Sequence, residues 1–314
     1  MIKKIKKIII CIVGVLIVLS LIICVLYLID KNKRLEELES NSQLAKTSVG
    51  TIEYKIYGDK GLVILSIHGS PGGYDQGWPY EGFRVLSISR PGYLRTPLQV
   101  GETPAEQAQA YSALLEYLGI KQVIVSCASG GGPSAICFAA LFPEKTIALI
   151  AVEAVSQSIA PYDDPFKSDL FTWMLFTLMQ NDTCFNSMLK TLIPENEATR
   201  QLMIKDPIKN KMLQDLIWTM WPRSKRAVGL QNDRKQFQLL TLPVSEVKVP
   251  TLIIHGSEDE LPVNQSIKLA EQIPGSRLEI IKGADHLMPV SHYEEIGEIC
   301  GEFLEDINII KKVN

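Results

Sequence analysis

The sequence predicts an α/β protein: a mostly parallel, twisted sheet with helices on both faces, a helical cap inserted into it, and one transmembrane helix at the N-terminus. Three observations predict it. Strand-like and helix-like segments alternate from residue 50 onward, the pattern of a parallel sheet built with crossover helices. The stretch 156–247 breaks that alternation with helical patterns and no convincing strand, and it is too long for a loop in a compact domain. Ile8 to Ile29 is an almost unbroken apolar run that no charge interrupts.

The apolar run is about 22 residues, or roughly 33 Å as a helix, enough to cross the hydrocarbon core. A cleaved signal peptide has a shorter apolar region and a small-x-small cleavage site; none follows here. A lipoprotein anchor at Cys24 calls for a small residue before it, and Ile23 is not small. An uncleaved signal anchor fits best. Lys3, Lys4, Lys6 and Lys7 form a purely basic cluster before the run, whereas Lys31, Lys33 and Arg34 are mixed with acids after it. This tips the orientation toward N-terminus inside and the remaining domain outside the cytoplasm. The expected divisions are a tail and anchor at 1–34, a stalk at 35–49, a core at 50–155 and 248–314, and the cap at 156–247.

Within the core, Thr51 to Tyr57 alternates with period two and ends at Gly58-Asp59, a hairpin-turn signal. Leu62–Ile67, Phe83–Ser89, Gln122–Ser126, Thr146–Val155, Pro250–His255 and Arg277–Ile281 read as strands. Pro104–Leu118, Gly130–Leu141, Val263–Ile273 and Glu294–Ile307 read as helices. In the cap, Asp169–Met179 and Met212–Met220 have helical spacing. Its Trp173, Trp218 and Trp221 are candidates for substrate contact, or for packing of the cap itself.

Composition excludes some functions. The chain has 46% hydrophobic and 21% charged residues and a formal net charge of −3, so no strongly basic face is implied and nucleic acid is not an expected partner. Six cysteines (Cys11, Cys24, Cys127, Cys137, Cys184 and Cys300) lack metal-ligand spacing. A domain with its own large core has no need of a disulfide framework, and these residues read as small buried thiols. No metal or organic cofactor is implied.

The chemistry is carried by three loops, each just past an expected strand. Val123 to Ala135 (V-I-V-S-C-A-S-G-G-G-P-S-A) runs from strand through a small-residue turn into a helix, the context of a nucleophile elbow at Ser129. Such a turn needs small residues two positions to either side, here Cys127 and Gly131. A glycine-rich anion cradle at a helix start is the bland alternative. Cys127 as nucleophile would put Val125 at the tight turn, a poor fit. Upstream, H-G-S-P-G-G from His68 to Gly73 follows a buried strand; the backbone N–H groups of Ser70 and Gly130 are candidates for an oxyanion hole, with His68 structural. Downstream, Asp259 lies in G-S-E-D-E-L-P and His286 in K-G-A-D-H-L. Glu258, Glu260 and Asp285 are alternative acids. The order Ser, Asp, His across three strand ends singles out Ser129, Asp259 and His286.

On these motifs the chain resembles the α/β-hydrolase family over about Gly50 to Ile307, and S-R-P-G-Y-L-R-T-P-L from Ser89 to Leu98 is similar to that family's turn after its fourth strand. The resemblance implies Ser129 as nucleophile, His286 as base and Asp259 as its orienting acid, with the oxyanion held at Ser70 and Gly130. The His-Gly-x-Pro-Gly loop is similar to that of proline iminopeptidases, but C-A-S-G-G and S-R-P-G depart from that subgroup's G-G-S-W-G and D-Q-R-G. Epoxide hydrolases and haloalkane dehalogenases carry aspartate at the elbow, where this chain has Ser129. The expected function is a membrane-anchored serine hydrolase acting on a small acyl substrate, an ester, lactone or amide. An aminopeptidase of the iminopeptidase type and a non-enzymatic ligand receptor that keeps the pocket are the alternatives. A cofactor-free haloperoxidase-like activity or acyl transfer to an alcohol would use the same residues. Membrane lipid around the N-terminal helix is the other expected partner; the sequence leaves the oligomeric state open.

Overall fold

The computed structural model describes residues 2–161, 168–193 and 196–310, in two compact units, Met1–Asn41 and Ser42–Asn314. The first unit is one helix, α1 (Ile2–Ser40). Its most apolar 18-residue window has a mean hydropathy of 3.5, with aliphatic side chains from Ile8 to Ile29 exposed all round it. By length and composition this helix can cross a membrane; apolarity on every side of a helix is the mark of one that faces lipid or a large core. The expected stalk at 35–49 is corrected. The helix continues through Ser40, and Gln43–Thr47 is the first strand of the sheet.

In the second unit the elements run β1 (Gln43–Thr47), β2 (Gly50–Tyr57), β3 (Val63–Ile67), β4 (Arg84–Ile88), α2 (Pro104–Tyr117), β5 (Val123–Ala128), α3 (Gly132–Leu141) and β6 (Thr146–Val152). Among the described residues that follow, only helices occur before the next strand: α4 (Asp169–Met179), α5 (Asp182–Leu192), α6 (Glu197–Lys205), α7 (Pro207–Thr219) and α8 (Ala227–Gln236). The chain then returns through β7 (Thr251–Gly256), α9 (Asn264–Gln272), β8 (Arg277–Ile281), the short α10 (Met288–Ser291) and α11 (Tyr293–Asp306).

The eight strands are ordered β1-β2-β4-β3-β5-β6-β7-β8. From β4 to β8 every pairing is parallel; β2 is antiparallel to both β1 and β4. Gly58-Asp59 is therefore not the hairpin turn its sequence signalled, because β3 lies beyond β4 and does not pair with β2. The hairpin is β1–β2, closed where Thr47 Oγ1 donates to the Gly50 carbonyl at 2.7 Å. β1 escapes pattern reading because Q-L-A-K-T is a short, polar edge strand with one buried residue, Ala45, the composition that protects a sheet edge.

The central strands are apolar on both faces, and their alternation sorts them into two cores. Leu65, Val125, Cys127, Leu149, Ala151 and Ile253 join the cluster that holds α2 and α3 residues. Ile64, Ile124, Ile150, Leu252 and Ile254 join the cluster containing Phe303 and Leu304 of α11. Helix α2 starts at a capping box: Thr103 Oγ1 accepts from the Glu106 N–H, and Glu106 Oε2 accepts from the Thr103 N–H at 2.9 Å. A rigid sheet buried on both sides leaves its carboxyl edge as the place where loops can differ, and there the chemistry-bearing residues collect.

The turn from β5 into α3 is packed against β3. A Cβ on Gly131 would stand 2.6 Å from the Ile67 carbonyl oxygen and 2.9 Å from that of His68, both backbone atoms that cannot swing away. Gly131→Ala is expected to lower stability by about 1–3 kcal/mol, the usual range for overpacking, measured by urea or thermal denaturation. An unchanged midpoint would mean that turn and strand can separate freely.

Candidate active site

β5 delivers Ser129 into a left-handed backbone conformation, φ 48°, before the chain enters one turn of 3-10 helix and then α3. For a non-glycine residue this conformation costs energy and marks a constrained turn. It lifts the side chain clear of the sheet. His286 Nε2 lies 3.0 Å from Ser129 Oγ, and His286 Nδ1 lies 2.9 Å from both carboxylate oxygens of Asp259. The three residues named from sequence thus form one hydrogen-bonded chain. In the neutral tautomer that fits it, Nδ1–H donates to Asp259 and Nε2 accepts from the serine hydroxyl.

The choice among acids follows from burial and partners. Asp259 has no side-chain exposure; its Oδ1 also accepts the Leu261 N–H at 2.7 Å, and His255 Nε2 lies 3.4 Å from its Oδ2. Glu258 and Glu260 are exposed. Asp285 is buried, with its Oδ1 accepting from the Leu287 N–H. Cys127 is an interior residue of β5 whose thiol is pushed up to about 12 by burial, so it stays protonated and unreactive.

The loop after β3 comes within contact of the elbow. A Cβ on Gly130 would stand 2.2 Å from Ser70 Oγ and 3.3 Å from the Phe237 ring, so the positions named as oxyanion donors adjoin each other. His68 is structural. Its Nε2 accepts the Arg90 N–H at 3.0 Å, its Nδ1 contacts the Gly69 carbonyl, and its ring meets Tyr93 edge-on. Burial and then the Arg90 charge hold it well below the usual histidine range, so it is neutral.

Sequence reading missed the groups that brace this loop from the cap. Asp233 of α8 accepts from Arg90 Nη1 and Nη2 at 2.9 and 2.6 Å, from Tyr93 Oη at 2.5 Å, and from Ser70 Oγ. Arg226 donates to the Gly72 carbonyl at 2.8 Å and pairs with Asp75 at 2.9 Å. Their pairing across 143 and 151 residues leaves no local pattern to read. The tryptophans divide. Trp221 has no accessible surface, and its indole N–H donates to the Asp169 carbonyl at 3.1 Å, so the expectation of substrate contact there is replaced by cap packing. Trp173 is 6% exposed. Trp218 is half-buried, its ring 5.2 Å from that of Trp221.

Glu153, at the end of β6, is a further residue the sequence reading passed over. It joins Asp259 and His286 in a group whose potential metal-ligand atoms lie within 4.8 Å of one another. Here those atoms face each other through the Asp259–His286 hydrogen bond, and Nε2 is turned to Ser129. Burial works against a charge on His286, but the Asp259 hydrogen bond and the charges of Glu153, Asp259 and Glu260 outweigh it and raise the imidazole to about 9. A group with a raised pKa is protonated below it and neutral above, so the serine–histidine hydrogen bond in its productive sense is favoured as pH rises. An NMR titration of His286 is expected to give a midpoint above the ordinary 6.5; a midpoint at or below that value would mean that burial outweighs the Asp259 hydrogen bond.

Known proteins resemble this chain in sequence and in fold. The sequence profile described as "Alpha/beta hydrolase family" matches residues 63–299. The chain is 28% identical over 274 residues to the uncharacterized hydrolase YcgS of Bacillus subtilis (strain 168), covering 82% of this chain and 95% of that protein. It is 22% identical over 285 residues to 2-hydroxy-6-oxononadienedioate/2-hydroxy-6-oxononatrienedioate hydrolase 2 of Pseudomonas putida, covering 85% of this chain and 97% of the other. Among solved structures, an alpha/beta hydrolase fold protein from Nakamurella multipartita superposes with a TM-score of 0.74 at 30% identity, over 84% of this chain and 98% of that one.

Proposed function

Because the chain belongs to the α/β-hydrolase family, we propose that it is a membrane-anchored serine hydrolase that cleaves a small ester, lactone or amide through an acyl-enzyme on Ser129. The observation that carries this reading is the unbroken hydrogen-bond chain from Ser129 Oγ through His286 to Asp259, on a serine held at positive φ.

In this mechanism His286 Nε2 takes the hydroxyl proton as Ser129 Oγ attacks the acyl carbonyl. The oxyanion that forms is met by the backbone N–H groups of Ser70 and Gly130, and donors fixed in advance stabilise it without reorganising. Asp259 fixes the imidazole tautomer and favours its charged form. His286 then returns the proton to the leaving group, activates a water in turn, and Ser129 is regenerated as the acid product leaves.

An uncharged acyl group is the substrate class that the surroundings favour. The Pseudomonas relative is named for a dienedioate substrate, a dianion that would call for available cations. The two guanidinium groups against the oxyanion loop are instead committed, Arg90 to Asp233 and Arg226 to Asp75. The cap, residues 156–247, is assigned substrate selection, with Trp218 as the cap tryptophan that retains exposure. Helix α1 is assigned as an uncleaved anchor with the catalytic unit outside the cytoplasm, on its length, its apolarity and the basic cluster before it.

A fluorophosphonate probe is expected to label the full-length protein, and Ser129→Ala to abolish labelling and lower kcat on p-nitrophenyl acetate by about 10⁴-fold or more. No labelling of the wild type would favour a ligand receptor; retained turnover in Ser129→Ala, with loss in Cys127→Ala, would move the nucleophile to Cys127. Carbonate and high salt are expected to leave the protein in the membrane fraction, since the attachment is apolar. Protease added to intact cells is expected to digest the domain beyond Arg34. Protection until lysis would reverse the orientation, and recovery of a chain lacking residues 8–29 would replace the anchor by a cleaved signal.

A further inference from the structure

Glu153 is a buried acid in contact with the site that the three-residue mechanism does not use. It directly follows β6, and its backbone has a φ of 48°, the left-handed region again. Its own N–H is bonded to the Ile254 carbonyl of β7 at 2.8 Å, which fixes the residue between two central strands. The side chain is 1% exposed. Oε2 lies 3.8 Å from His286 Nδ1, the same nitrogen that Asp259 holds. The Glu153 and Asp259 carboxyls lie against each other, and Glu153 Oε1 has no hydrogen-bond partner among the described residues.

The groups that face Glu153 are Asp259 from the loop after β7 and Asp285 and His286 from the loop after β8. Two carboxylates in contact in a buried setting do not both ionise; they hold one proton between them. Asp259 has two donors, the Leu261 N–H and the imidazole, whereas Glu153 Oε1 has none among the described residues, so the shared proton has its place on Glu153. Burial and then the charges of Asp259 and Asp285 push Glu153 well above the carboxylate range, against the pull of His286. A neutral Glu153 also removes its contribution to the raised basicity of His286, which leaves more of the imidazole free to act as a base near neutral pH.

We propose that Glu153 is a second acid of this site: a protonated positioning residue that donates a hydrogen bond to Asp259, and that ionises to hold His286 Nδ1–H itself when Asp259 is neutralised. In the latter state Glu153 releases its proton to solvent, and its carboxylate accepts the imidazole N–H. The inference rests on the Ser129–His286–Asp259 reading and deepens it.

The test uses full-length protein in detergent. Infrared spectra at neutral pH are expected to show a protonated carboxylic acid band in the wild type that is lost in Glu153→Gln, and lost also in Asp259→Asn, where Glu153 ionises. In a double-mutant cycle on p-nitrophenyl acetate, Glu153→Gln is expected to lower kcat at least about tenfold more in the Asp259→Asn background than in the wild type, a coupling typical of residues in contact. The His286 NMR midpoint is expected to stay above 6.5 in Asp259→Asn and to fall in the double variant. Absence of the band from the wild type, its persistence in Asp259→Asn, or equal kcat effects of Glu153→Gln in both backgrounds would overturn the proposal. The infrared comparison of wild type with Asp259→Asn decides the matter even if Glu153→Gln fails to fold. Loss of the triad reading would show separately, as turnover that survives Ser129→Ala while the infrared band still reports on Glu153.

Discussion

The strained turn at Ser129 is the constraint around which the catalytic unit is arranged. A serine at φ 48° is stable only where its surroundings hold it there. The parallel pairings β3–β5 and β5–β6 hold the incoming strand. The Ser129 carbonyl accepts the Val155 N–H at 3.0 Å, which ties the turn to the segment after β6. On the other side the end of β3 and the loop after it press against the turn: a Cβ on Gly131 would meet the Ile67 and His68 carbonyl oxygens, and one on Gly130 the Ser70 side chain. The same turn sets Gly130 against the Ser70 side chain, so the proposed nucleophile and the two proposed oxyanion positions adjoin.

A buried polar network extends that arrangement into the cap. Arg90 and Asp233 are 1% and 3% exposed, and a buried ion pair carries a large desolvation cost that only good geometry and further hydrogen bonds offset. Asp233 has those bonds, from two Arg90 nitrogens, Tyr93 and Ser70. Burial and the Asp233 charge raise the Tyr93 hydroxyl well above its usual range, so it remains a donor. Removing either partner would strand the other charge, at about 3–5 kcal/mol. The network therefore fixes where helix α8 sits relative to the oxyanion loop. Arg226 makes the same kind of link through the Gly72 carbonyl and Asp75.

Local signals made most of the core legible in the sequence. The strands β3, β5, β6 and β7 are apolar runs; the elbow follows β5 and the acid loop β7, while the histidine loop follows the more polar β8. Their side chains meet because the parallel sheet aligns its carboxyl ends, so chain order and strand position were enough to name Ser129, Asp259 and His286. What was illegible depends on tertiary pairing. β1 has an edge strand's polar composition and owes its identity to β2. The Gly58-Asp59 turn reads as a hairpin because the crossover that puts β4 between β2 and β3 leaves no local mark. Asp233 is one acid in a charged helix segment, N-D-R-K, and its role comes from partners more than a hundred residues away. Glu153 carried a faint signal, a lone acid ending the apolar strand T-I-A-L-I-A-V.

The acids at this edge differ in role because they differ in donors rather than in residue type. Asp259 and Glu153 are both buried and both lie near His286 Nδ1, at 2.9 and 3.8 Å. Backbone and imidazole donors bond to Asp259, whereas Glu153 has an oxygen without a partner among the described residues. Environments that push neighbouring carboxyl groups apart in acidity assign them separate tasks. In the proposal the proton sits on Glu153, behind the acid nearest the imidazole. That division places one negative charge next to His286 instead of two. A single charge fixes the ring and favours its protonated form during acyl transfer; a second would hold the proton on Nε2 and block the base. The interior position of Glu153 thus lets one carboxylate orient the histidine while a protonated neighbour adds less to its raised basicity than a second charge would.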